Sequence, residues 1–78
     1  MTSLNFIEGD YITKKEKAVF PSLQTMQIRY FSNGEFGAIC TTSIGGTCSV
    51  FDLRDYRRAE TDEIVDFLTT LANAYKQR

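Results

Sequence analysis

The sequence predicts an α+β domain: a meander of three or four antiparallel strands followed by one C-terminal α-helix packed on one face. Three observations carry this reading. Thr25 to Phe31 alternates apolar and polar side chains with the period of a half-buried strand. Two glycine turns, Asn33-Gly34 and Gly45-Gly46, separate that run from two more strand-like runs. The tail from Thr61 repeats apolar residues at helical spacing.

The elements follow in order. Leu4 to Ile12 sets Leu4, Phe6, Ile7, Tyr11 and Ile12 around Glu8-Gly9-Asp10. It reads as one bent strand, or as two short ones with a turn at Gly9. Lys14-Lys15-Glu16-Lys17 reads as a solvated turn, and Ala18-Val19-Phe20 as a short apolar run stopped by Pro21. In Thr25–Phe31, Met26, Ile28 and Tyr30 share one side, Gln27 and Arg29 the other. Asn-Gly tolerates the positive φ of a type I′ turn, so a two-residue turn at Asn33-Gly34 pairs Tyr30 with Gly37 and Ile28 with Ile39. A loop over Ile44–Gly46 then sets Ile39 against Phe51 in a strand from Thr47 to Leu53. In this register Met26, Ile28, Tyr30, Ile39, Phe51 and Leu53 form the face under the helix. The helix starts with Thr61 as N-cap, and Asp62, Glu63 and Asp66 sit near its positive end. It runs to about residue 76, with Ile64, Phe67, Leu68, Leu71 and Tyr75 as its buried stripe and Lys76 and Arg78 at its negative end.

At 78 residues the chain has room for one domain spanning 1–78, with no repeat, linker or low-complexity tract. Such a domain buries about 60% of its unfolded surface, so its core is thin. A hydrophobic fraction of 42% with mixed charges excludes intrinsic disorder. The net charge of -1 argues against a dedicated duplex-DNA binder, which needs a positive excess to neutralise phosphates. No apolar run is long enough to span a membrane. The first residues lack the basic-then-apolar order of a signal peptide, so a cytoplasmic location is expected.

Catalytic chemistry is not expected. There is no histidine, the commonest general acid-base group, and the chain has only two cysteines. Two thiols fall short of the four ligands of structural zinc, so neither a metal nor a cofactor is expected. Cys40 and Cys48 read as free thiols on adjacent strands, with a cross-hairpin bridge as the alternative. Asp52, Asp55, Glu60, Asp62 and Glu63 read as solvating and capping groups. Gly45-Gly46 lacks the lysine of a phosphate loop and reads as a hairpin tip.

Two features suggest contact with a partner. In the register above, Gln27, Arg29, Phe31, Phe36, Ala38, Cys40, Cys48 and Val50 lie on the sheet face away from the helix. Arg29, Phe31 and Phe36 there read as a contact surface, unless the segment from Phe6 to Phe20 folds over them. Arg54, Arg57 and Arg58 around Tyr56 form a basic segment suited to stacking and phosphate contact, interrupted by Asp52, Asp55 and Glu60. The strand-strand-strand-helix order resembles that of some single-stranded-DNA-binding coactivator-type domains. The resemblance is in element order alone and carries no residue across.

The expectation is a small non-catalytic interaction protein that binds another macromolecule, a protein first. Its type is that of phage- or mobile-element-encoded inhibitors, including anti-CRISPR proteins. The alternative is a single-stranded nucleic-acid binder with Arg29, Phe31 and Phe36 as stacking platform and Arg54, Arg57 and Arg58 on the backbone. A second copy of the chain is a further expected partner, because a thin core gains by dimerising.

Overall fold

A computed structural model describes residues 6–32 and 36–77. Five strands, rather than three or four, form one antiparallel sheet: β1 (Tyr11–Lys14), β2 (Thr25–Phe31), β3 (Ala38–Thr41), β4 (Thr47–Val50) and β5 (Tyr56–Arg58). The helix α1 spans Thr61–Lys76. The strand order is β4-β3-β2-β1-β5, so the last strand returns to pair with the first. The second half of the basic segment, Tyr56–Arg58, is therefore itself a strand, and Arg54 lies in the 3-10 turn before it. Its three residues are too few to show a period, but Arg58 pairs with Ile12 and Tyr56 with Lys14.

That order forces the sheet to curl. β4 and β5 are its two edges, about 19 Å apart if the sheet were flat, at about 4.8 Å per strand. Only Phe51 to Asp55 connects them, and Leu53–Asp55 of that link is a 3-10 turn. At about 2 Å per residue such a turn keeps the link shorter than that span. The edges must approach each other, and the link closes over the hollow between them. The Leu53 amide donates to the Phe36 carbonyl at 2.8 Å, and the Lys15 amide to the Asp55 carbonyl at 2.9 Å, tying the link down at both ends.

The core fills this hollow. Ile12, Met26, Ile28, Ala38, Cys40, Val50 and Leu53 are all buried there, with Phe6, Leu23, Cys48 and Tyr56 packed around them. The composition of this face departs from expectation for one reason. β2 pairs Ile28 with Cys40 but Tyr30 with Ile39, so a bulge at Arg29 shifts the register by one residue. Because side chains alternate, a one-residue shift exchanges faces. Met26 and Ile28 thus share a face with Ala38 and Cys40 rather than with Ile39. The β3-β4 loop is also one residue earlier than expected: Thr42 and Gly46 close it, Gly45 sits at φ 87°, and Ile39 faces Ser49 instead of Phe51. β4 ends at Val50; Phe51 is exposed, while Leu53 reaches the core from the 3-10 turn.

The helix lies on the other, outer face. Phe67 meets the Tyr11 ring edge-on with centroids 5.7 Å apart, and Tyr11 points opposite to Ile12. Below it run Thr13, Thr25, Gln27 and Thr41, a hydroxyl- and amide-rich surface. Thr13 and Thr25 satisfy each other at 2.9 Å. Glu60, one residue before the expected Thr61, is the N-cap, in a reciprocal box with Glu63. Of the expected buried stripe only Phe67 is buried; Ile64 and Leu71 are half-buried, and Leu68 and Tyr75 are exposed.

The segment before β1 packs where the sequence left two choices. It turns at Gly9, whose φ is 95°, and then runs beside β2, with Gly9 and Asp10 bonded to Ile28. Phe6 reaches the core, so this segment does cover part of the face opposite the helix. Gln24 organises the β1-β2 loop through the carbonyl of Lys14 and the amide of Ala18. Val19 and Phe20 in that loop are exposed. The Asn33-Gly34 turn and Arg78 lie outside the described residues.

Candidate functional site: an aromatic rim

The predicted contact residues separate into three groups. The first lies at one end of the curled sheet. The bulge at Arg29 turns the end of β2 outward, leaving Arg29, Tyr30 and Phe31 exposed in succession. Phe31 pairs with Ala38, which pairs with Val50, so Phe51 emerges from the same end. Phe51 is 78% exposed and Phe31 42% exposed, although neither apolar ring gains from water. Phe36 joins them, held by the bond between its carbonyl and Leu53.

Arg54 completes this rim. Its guanidinium carbon stands 4.3 Å from the Phe36 ring centroid. The same fork grips Asp52 through Nε at 2.9 Å and Nη2 at 3.0 Å. Asp52 also accepts from the Arg54 amide, capping the 3-10 turn. These bonds hold the Asp52 carboxyl below its ordinary range. The pair fixes an arginine over an aromatic ring, a planar element of the kind enriched in binding hot spots.

The second group is Arg57. It grips Glu63 with two bonds of 2.7 and 2.8 Å, joining β5 to the first turn of α1. Glu63 is thereby held at about pKa 2, first by the Arg57 fork and then by the Glu60 amide. The third group is Arg58 with Tyr56. Arg58 bonds Asp10 at 2.9 Å and lies 5.7 Å from the Phe6 ring, anchoring the segment before β1. Tyr56 is half-buried against the core, and burial raises its hydroxyl pKa. Arg54, Arg57 and Arg58 thus each face a carboxylate on a different part of the fold and form no common basic patch.

Sequence reasoning found Arg29, Phe31, Phe36 and Arg54 but placed Tyr30 and Phe51 in the core. Only the bulge reverses them, and no residue at that point announces one. The two cysteines face each other across β3 and β4 as free thiols. Burial, then the neighbouring Cys48, pushes the Cys40 thiol up to about 12, so it stays protonated. Among the described residues no group of three metal-ligating side chains gathers, and no helix is long and apolar enough to cross a membrane. No protein-family model, curated protein or solved structure matches this chain.

Proposed function

We propose that this is a protein-binding module whose contact surface is the rim formed by Arg29, Tyr30, Phe31, Phe36, Phe51 and Arg54. One observation carries the reading. Tyr30, Phe31 and Phe51 stand exposed at one end of the sheet with Phe36 half-buried beside Arg54, and aromatics with arginine dominate the centres of protein interfaces. A binder acting by occlusion, as an inhibitor of the phage or mobile-element type does, needs only such a surface. Charge favours a protein over a nucleic acid: Asp52, Glu63 and Asp10 offset Arg54, Arg57 and Arg58.

Phe31 and Phe51 are exposed, so a Phe31→Ala, Phe51→Ala double variant should fold and should lose at least tenfold in capture of a partner retained by the wild-type chain. Equal capture by both proteins would remove the rim from consideration. A mobility shift of labelled single strands at low salt, lost on adding salt and in the same variant, would instead favour the nucleic-acid reading.

A further inference from the structure

The sheet has two edges, and the fold blunts only one of them. β5 is three residues long and carries two arginines, a short charged edge of the kind that resists pairing. β4, Thr47-Cys48-Ser49-Val50, has no charge, no proline and no bulge in its pairing. The hairpin before it shows which of its backbone groups are in use. The Thr42 amide donates to the Gly46 carbonyl at 2.9 Å, and the Gly45 amide to the Thr42 carbonyl at 3.1 Å. Hydrogen-bonded pairs alternate along an antiparallel ladder. Cys48 and Val50 therefore bond to β3, while Thr47 and Ser49 turn their amides and carbonyls outward. Both residues are exposed, and among the described residues no strand lies beyond them. The Ser49 carbonyl takes a long contact from the Cys48 thiol at 3.7 Å, a weak substitute for an amide.

We propose that a second copy of this chain pairs with this edge, β4 against β4, antiparallel about a two-fold axis at Cys48. Thr47 of each copy then exchanges both backbone bonds with Ser49 of the other, which satisfies every outward group of the two residues. Thr47 and Ser49 are small and uncharged, so they stand face to face without repulsion. What flanks the strand points to a second copy as the occupant. Ile44 before it is 57% exposed and Phe51 after it 78% exposed. In the antiparallel register Phe51 of each copy arrives at the hairpin tip of the other, with Gly45 opposite and Ile44 next along. One two-fold contact thus covers both exposed side chains and the open edge. Phe51 belongs to this contact as well as to the rim, whereas Thr47 and Ser49 lie outside the rim.

Sedimentation of the full chain up to about 1 mM reads the association directly. The wild type should approach twice the mass of one chain and grow no further. Ser49→Pro removes an outward donor that the single chain does not use, and an edge strand tolerates proline there. This variant should keep the circular dichroism spectrum of the wild type and stay a single chain throughout. Thr47→Lys with Ser49→Lys sets like charges opposite each other in both pairs and should weaken association by about tenfold. Thr47→Lys with Ser49→Glu sets opposite charges there and should restore it. A wild-type chain that stays single, a dimer indifferent to Ser49→Pro, or equal association of the two charged variants would overturn the proposal. So would masses that climb past two chains, the mark of β4 meeting β5 of the next copy instead.

Discussion

The two faces of the sheet are built on opposite chemistry. The inner face is aliphatic and sulfur-rich, enclosed by the curl and the 3-10 link, and nearly every side chain on it is dry. The outer face under the helix carries Thr13, Thr25, Gln27 and Thr41, and meets the helix chiefly through Phe67 and Tyr11. The hydrophobic contribution follows apolar area, so the inner face supplies the cohesion of the sheet and the outer one a modest attachment. The difference teaches that sheet and helix are separable. The sheet holds itself together by curling, and the helix is a rod fastened to it by Phe67 with half-buried Ile64 and Leu71, and by the Arg57–Glu63 pair.

Four experiments would break or sharpen this contrast. Ile28→Ala empties the inner face and should cost about 2–5 kcal/mol of global stability in urea unfolding. A loss as small as that of an exposed site would mean the curl is not the core. Phe67→Ala should cost about 3 kcal/mol, read as lost amide exchange protection in 61–76 while β1–β3 stay protected. Uniform loss across the chain would show that helix and sheet unfold together.

Acid should loosen the attachment through Glu63, besides the Asp52 cap of the 3-10 link. Glu63 titrates near 2 in the fold and in the ordinary carboxylate range when unfolded. Its stabilisation is complete above that ordinary range and fades as pH falls towards 2, because the unfolded chain binds the proton first. Helix protection should therefore fall across this window, and Arg57→Gln should flatten the dependence. The smallest effect is chemical. Iodoacetamide at neutral pH should label Cys48 and spare Cys40 until the protein unfolds, since Cys40 lies inside and stays protonated. Equal labelling of both thiols in the native protein would mean the inner face is wet.

The same contrast explains what could be read from the residues. Thr25–Phe31 and Thr61–Lys76 occupy the ranges their periodicity implies, because each is long enough to show a period. Of the two readings of Leu4–Ile12, the turn at Gly9 holds, because its positive φ is cheap only for glycine. The faces could not be read. A bulge at Arg29 costs one residue and leaves no compositional mark, yet it moves Met26 and Ile28 to the side of Ala38 and Cys40. β5 is short and charged, and becomes a strand only because β1 offers it an edge. Of the site, the arginines and phenylalanines were visible as residue types. Their division into a rim and two clamps depends on Asp10, Asp52 and Glu63, which are distant from one another in sequence.

The return of β5 to β1 sets the order of assembly. Ile12 emerges from synthesis well before Arg58, which lies in one of its two neighbouring strands. A nascent chain holding only the first four strands lacks both the closing link and one wall. Contacts so far apart in sequence slow folding, because the loop must close before they form. Until that loop closes, Ile12, Met26 and Ile28 lack one wall of the hollow that buries them.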